Sequence, residues 1–474
     1  MLTWIKKRPV RSAMLLAGAA AVAFGIALAA DARAARAAGF EKRIRPHFDH
    51  APVIQGPFRA PQDVTRACLS CHPGAAAVMK TAHFTWLGEP VEVPGHQGAR
   101  RIGKRNLLNN FCISNIGNEK ACTKCHAGYG WTDARFDFTK AENVDCLVCH
   151  EQGSGYVKGP GGLPDPKKID LVAAASSVAT PRRENCLVCH AWGGGGQAVK
   201  HGDLDSSLEH PSPEDDVHMG RLGFSCVDCH AGPDHRIRGR AFSVSVEGAN
   251  GVACADCHTT REHRDDRIEA HLASVSCEAC HIPSYARRIP TKGAWDWSKA
   301  GDAGRKEDPH AYLKAKGEFV YEQDAVPEYR WFDRRVGRYL LGDRMDPGQV
   351  TLLNPPLAGI GDRGARIWPF KIHRALQPYD AEHRILLPPV TAGPGGYWTT
   401  FDWDASLHLG AKAAGLPYSG KHGFARTEMV WPLAHTVAPA EEALRCDDCH
   451  GGGGRMDFRA LGYEGDPMRT GGRP

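Results

Sequence analysis

Eight times in 474 residues the chain sets two cysteines three positions apart and follows the second directly with a histidine. The triples are Cys68, Cys71 and His72; Cys122, Cys125 and His126; Cys146, Cys149 and His150; Cys186, Cys189 and His190; Cys226, Cys229 and His230; Cys254, Cys257 and His258; Cys277, Cys280 and His281; and Cys446, Cys449 and His450. With 24 His in the chain, one would follow a given pair by chance about once in twenty, so eight in eight is a chemical requirement. The pattern is that of c-type haem attachment, in which both thiols add to porphyrin vinyl groups and the imidazole takes the iron. A disulfide scaffold has no use for the trailing His, and a zinc ribbon pairs one Cys-x-x-Cys with another. Eight covalently attached c-type haems, each with its iron, are expected. Of the 17 cysteines only Cys112 stands outside the runs. It reads either as a small buried apolar residue or as a pocket thiol.

Removing the eight proximal ligands from 24 His leaves 16 for the second axial positions. A second His makes an iron a low-spin electron carrier with no place for substrate. His235 and His263 each follow a proximal His by five residues, and His218 and His271 precede the next run by eight and six. Such short tethers reach a neighbour's iron more readily than their own. His83, His373 and His435 stand beside aromatics (Phe84 and Trp86; Phe370; Trp431) that could pack on a porphyrin, and His50 completes the candidate set. His96, His201, His210, His310 and His408 read better as surface or internally satisfied residues. A substrate needs an iron with an open or weakly held position, so the functional question is whether one of the eight differs.

The elements that must carry these groups are short. Hydrophobic content of 42% and charged content of 24% describe an ordinary globular chain, and a net charge of +5 without long basic runs argues against nucleic acid and suits an anionic partner. Residues 1–38 have the layout of an export signal or N-terminal anchor: Lys6, Lys7, Arg8 and Arg11, then an apolar stretch from Ala13 to Ala30 and Ala-x-Ala sites. The body is then periplasmic, with membrane contact only through that segment if it stays uncleaved. Residues 39–283 hold seven runs, with starts as close as 23 and 24 residues. Residues 284–474 are rich in Trp and Pro and hold the eighth run. Helices are expected over Ala76–Trp86, Arg264–Leu272 and Ala438–Cys446, and loops at the glycine runs 193–196 and 451–454. The expected fold is mainly α with extensive coil and little β, a multihaem cytochrome c fold with its core built around the porphyrins.

The words flanking the runs carry a resemblance. Val64-Thr65-Arg66-Ala67 before Cys68, the segment from Gly193 to Leu204 with Gln197, Lys200, His201 and Asp203, the stretch Asp216-Val217-His218-Met219-Gly220, and Trp431 to Pro439 leading into Cys446 are similar to the octahaem tetrathionate reductases, relatives of multihaem nitrite reductases and hydroxylamine oxidoreductases. In that family the second haem is held axially by a lysine, with an unpaired cysteine near its pocket. The resemblance therefore assigns Lys200 to the second iron and Cys112, ten residues before Cys122, to the pocket. A lysine has an ordinary pKa of about 10.4, so ligation needs it desolvated and neutral. Where the family has an acidic residue three positions before the lysine, this chain has Gln197. His201 and Asp203 are candidates for proton transfer.

The implied function is reduction of tetrathionate to thiosulfate at the second haem, fed along bis-His haems by a periplasmic or membrane-bound donor. Nitrite or hydroxylamine reduction at the same iron, and a non-catalytic electron conduit, are the alternatives.

Overall fold

The computed structural model describes residues 47–473 except 113, 154, 166, 240–243, 249 and 259–262. The export segment over 1–38 lies outside them, and no helix among the described residues is long and apolar enough to cross a membrane. Val252–Ala270, with the sixth run, belongs to one compact unit; His47–Gly251 with His271–Pro474 form the other, which holds the remaining seven runs.

Each attachment run sits on a helical turn or two: Pro61–Cys71, Glu119–Cys122 continuing into Thr123–Cys125, Leu147–His150, Arg183–His190, Cys226–Cys229, Cys254–Asp256 (in the first unit), Cys277–His281 and Cys446–Cys449. The chemistry demands this, because residues three and four apart on a helix share a face and so present both thiols and the imidazole to one ring. Three runs supply their own cap from the residue before the second cysteine. Ser225 N donates to Asp228 Oδ2 (2.7 Å), Ala253 N to Asp256 Oδ2 (2.9 Å) and Arg445 N to Asp448 Oδ2 (2.7 Å), satisfying an end N–H that so short a helix cannot pair itself.

Of the three expected helices, 264–272 is present as Asp266–His271. Ala76–Trp86 is broken: a 3-10 stretch Pro73–Lys80 ends at extended Thr81, whose hydroxyl donates to Val78 O (2.7 Å), and one turn follows at Ala82–Thr85. Ala438–Cys446 reduces to the single turn Ala440–Glu442.

The larger correction is a sheet. Besides the small pair β1 (Val91–Glu92) and β2 (Ala99–Arg100), eight strands form one mixed sheet: β3 (Thr291–Asp296), β4 (Tyr312–Leu313), β5 (Gly317–Glu322), β6 (Glu328–Phe332), β7 (Thr351–Leu352), β8 (Arg366–Asp380), β9 (Ile385–Leu386) and β10 (His422–Pro432). The order is β4-β5-β3-β8-β10-β7, with β6 and β9 also pairing β8. β8 and β10 run antiparallel from His422↔Asp380 to Pro432↔Phe370, and β3 lies parallel to β8. The expectation of a mainly helical chain with little β fails here for a physical reason. β8 is buried on both faces for most of its length, so its residues do not alternate, and Pro369, Pro378 and Pro432 read as breakers. The principal apolar core lies against this sheet: Phe111, Val199, Phe332, Trp368, Phe370, Ile372, Met429 and Trp431 are all buried.

One buried ion pair ties two attachment runs. Lys158 Nζ lies 2.8 Å from Asp145 Oδ2, with both side chains almost fully enclosed. Asp145 Oδ1 also accepts from Val148 N (3.0 Å) in the third run, while Lys158 donates to the carbonyls of His126, in the second, and Gly128. Asp145→Ala strands a buried ammonium and is expected to cost about 3–5 kcal/mol, measured as the shift in the denaturant unfolding curve of the haem-loaded protein.

Candidate functional site

Two imidazoles bound to opposite faces of one iron, each nitrogen about 2 Å from the metal, have ring centres about 6 Å apart. Among the described residues several histidine pairs meet that distance. They include His50–His72 at 6.1 Å, His83–His190 at 6.2 Å, His150–His235 at 6.3 Å, His230–His435 at 6.1 Å and His271–His450 at 6.3 Å. Each joins a proximal residue of the first, fourth, third, fifth or eighth run to one of the histidines proposed as distal. His235 and His271 both stand opposite a run other than their nearest, as their short tethers require.

The ring nitrogens agree with this use. Nδ1 of His150 faces Ala179 O (2.9 Å), Nδ1 of His230 faces Arg238 O (2.7 Å) and Nδ1 of His450 faces Asp466 Oδ1 (2.6 Å), which leaves Nε2 for a metal. Burial pushes His190 down to about 3, with His83 adding to the shift, so the ring is in the neutral form that offers a lone pair. Asp203, buried, accepts from Ala434 N (2.8 Å), His435 N (3.0 Å) and His435 Nδ1 (3.1 Å). Burial works against its charge, but these bonds and the His435 and His201 rings hold its carboxyl well below the usual range. Its Oδ2 is thus occupied in orienting His435.

The second run differs. His126 is caged by Phe84, Trp86, Trp131, Phe136 and Phe138. Its Nε2 lies 2.5 Å from Phe84 O, and its buried Nδ1 has no hydrogen-bond partner among the described residues. Burial, with the Lys158 charge, pushes the ring down to about 3. The loop carrying Lys200 approaches this run. Gly194 and Gly195 take φ of +91° and +88°, and a Cβ on Gly195 would lie 3.4 Å from Cys112 Sγ, so the turn through Phe111 and Cys112 packs directly on the glycines. That turn is fixed to the sheet: Asn110 Nδ2 donates to His373 O (2.7 Å) and Gln377 Nε2 to Asn109 O (2.7 Å). The lysine end is clamped as well, by Thr291 Oγ1 to Ala198 O (2.6 Å), Lys371 Nζ to Val199 O (2.8 Å) and Ala286 N to Gly202 O (2.7 Å).

Lys200 itself is half-buried, with Nζ 5.0 Å from the centre of the Trp431 ring. Burial first, then the Lys104 charge, push its ammonium down to about 8, while Cys125 of the second run acts in the opposite sense. The shift runs toward the neutral form that ligation needs. The structure thus gathers Lys200, Cys112 and the thiols of the second run, the grouping implied by the resemblance. His201 packs on Trp431 at 4.9 Å and is held well below its usual pKa by burial and Lys200. Gln197 is hydrogen-bonded to Ser206.

Other sequence candidates sit elsewhere. His373 lies fully buried on β8 against Phe111 (6.5 Å), at the pocket and not in one of the five imidazole pairs, and neither of its ring nitrogens has a hydrogen-bond partner among the described residues. His218 lies in the turn Val217–Arg221 capped by Asp216, and in the first unit His263 Nδ1 faces Glu269 Oε2 at 3.2 Å. Sequence reasoning missed Lys104, Lys292 and Lys371. Lys104 Nζ lies 4.0 Å from the Trp86 ring centre, and Lys292 and Lys371 are buried in β3 and β8. The signal was present as single lysines inside the aromatic strand words Thr-Lys-Gly-Ala-Trp and Trp-Pro-Phe-Lys-Ile-His.

Comparisons with known proteins agree with this geometry. A family profile described as "Cytochrome c bacterial" matches residues 292–453, and one described as "Cytochrome c7 and related cytochrome c" matches 212–289. The crystal structure of an octaheme cytochrome c from Shewanella oneidensis is 43% identical, covering 89% of this chain and 98% of that one, with a TM-score of 0.84. An uncharacterised protein of Archaeoglobus fulgidus is 25% identical, over 40% of this chain and 80% of its own length.

Two outcomes test these arrangements. Asp203→Asn removes the charge that fixes the His435 ring, and the reduction potential of the haem at the fifth run should rise in a spectroscopic redox titration. Burial, with the Lys292 charge, pushes Lys371 from 10.5 down to about 7. Between those pH values the unfolded chain holds a proton that the folded chain releases, so unfolding free energy should climb with pH by up to about 1.4 kcal/mol per unit. In Lys371→Met the climb should be shallower in denaturation curves taken from pH 7 to 10.

Proposed function

The chain belongs to the octahaem c-type cytochromes, and from that membership we propose that it is a periplasmic reductase that gives two electrons to tetrathionate at its second attachment run. The observation that carries this reading is the half-buried Lys200 beside Cys125, its ammonium pushed down to about 8, where the five paired sites each have a second imidazole. A haem bound there supplies electrons singly and an iron position that a weak ligand can yield.

The protein groups around that position suit an anion. Lys104 and Lys200 bring positive charge, and no carboxylate is among the charges acting on Lys200 in the described residues. With Gln197 turned to Ser206, the pocket lacks the carboxylate of the family at that point, which lowers repulsion of a dianion. Cys112 adds a sulfur surface against the same loop. Tetrathionate takes up two electrons, its central S–S bond breaks, and two thiosulfate ions leave. No proton is consumed, so the engagement of Asp203 with His435 is no handicap.

Electrons reach the second run through the fourth. The Cys125 and Cys189 side chains are neighbours, and consecutive residues serve both sites, since the His83 ring faces His190 while Phe84 O faces His126. A periplasmic or membrane-bound carrier is the donor, and the 1–38 segment supports export, with membrane contact only through it.

A second reading, nitrite or hydroxylamine reduction, consumes protons and is favoured by one observation, the buried His373 ring with neither nitrogen bonded. Turnover of tetrathionate, nitrite and hydroxylamine should be compared with a reduced viologen as donor, in the wild type and in Lys200→Ala. The expected result is two electrons consumed per tetrathionate, with at least about a tenfold loss of kcat/KM in the variant and a change in one of the eight low-spin signals. A variant unchanged in both spectrum and rate would leave only an electron conduit.

A further inference from the structure

Lys292, on β3, is 4% exposed, and its Nζ lies 4.1 Å from the Trp295 ring centre and 4.5 Å from that of Phe319. Among the described residues it has no hydrogen-bond acceptor and no carboxylate partner. Lys371, one strand away and equally buried, shows what a structurally satisfied lysine looks like here: Nζ donates to Val199 O, Lys200 O and Thr291 Oγ1. An enclosed ammonium held only by ring faces is an incomplete anion site, because burial without an acceptor is costly. Burial pushes Lys292 down to about 7, and the one group acting in the opposite sense is Cys112.

The placement of Cys112 gives this lysine a location. The cysteine acts on Lys292 and on Cys122 of the second run, and its sulfur packs on the glycine loop that leads to Lys200. Lys200 in turn has Lys104, Cys125 and Trp431 around it. The pocket therefore has two cationic poles with separate surroundings, Lys104 with Lys200 at one and Lys292 at the other, and the Cys112 turn between them.

We propose that Lys292 is a second anion contact of the second-run pocket, holding the far sulfonate of a two-ended dianion whose near end lies at Lys104 and Lys200. This rests on the pocket's being the substrate site proposed above. It makes Lys292 a specificity-determining residue: tetrathionate has a sulfonate at each end and engages both poles, whereas a small oxyanion such as nitrite engages one. The flanking Trp295 and Phe319 rings hold the ammonium in place.

Ethane-1,2-disulfonate has the two-ended shape of tetrathionate but no S–S bond, so its binding to the oxidised, haem-loaded protein can be measured by calorimetry without turnover, beside methanesulfonate as a one-ended control. Lys292→Met should weaken the disulfonate about tenfold or more while methanesulfonate and the haem spectrum barely change. Lys292→Arg should keep most of the affinity. The same Met variant should raise KM for tetrathionate far more than that for nitrite. Unchanged disulfonate binding in Lys292→Met, equal losses for both sulfonates, or a wild type that binds neither would overturn the proposal. If the disulfonate depends on Lys292 but the wild type does not turn over tetrathionate, the anion pole stands and the reductase reading falls.

Discussion

An iron with an imidazole on each face ties two side chains at about 6 Å, wherever in the chain they come from. That constraint organises most of what the structure shows. His50 and His72 are close in sequence, but His83 must meet His190, His230 must meet His435, and His271 must meet His450. Short helical turns with few apolar contacts of their own can be held by such cross-links, and this explains how attachment turns of four or five residues, too short to stand as isolated helices, take their places. The need for a neutral lone pair then sets the surroundings: aromatic cages and burial, which keep His126 and His190 uncharged and push the Lys200 ammonium down toward release of its proton.

The attachment sites were wholly legible in the sequence because covalent attachment is local: three groups within five residues declare themselves. Distal ligands were partly legible. Tether length pointed His235 and His271 away from their nearest run, and the structure sets their rings beside His150 and His450, whereas the aromatic beside His373 in sequence leads to a buried β8 position against Phe111. Lys200 and Cys112 emerged from the family resemblance, and the structure supplies the reason for their meeting, a glycine loop with no Cβ to hold the Cys112 turn away.

The sheet was not legible, and for the opposite reason. Its longest strand, β8, is enclosed on both sides and interrupted by Pro369 and Pro378, so neither alternation nor β-branched runs mark it. Yet this strand does much of the positioning. It bears Lys371, which clamps the Lys200 loop, and Gln377, which clamps the Cys112 turn, and its His373 carbonyl receives Asn110. Much of the support for the candidate pocket thus comes from the part of the chain that has no attachment run except the last.

Lys200 and Asp203 are three residues apart in one clamped loop, and Asp203 is the carboxylate that orients His435 at another site. Under the proposed function, a loop that shifts when an anion displaces the lysine also pulls on that carboxylate. Thermodynamic reciprocity then applies: any effect of pocket occupancy on the electron affinity of the fifth site is matched in equal measure by an effect of the fifth site's oxidation state on occupancy of the pocket. The electron store and the substrate door are then one device, and how tightly the anion is held depends on how many electrons already wait behind it.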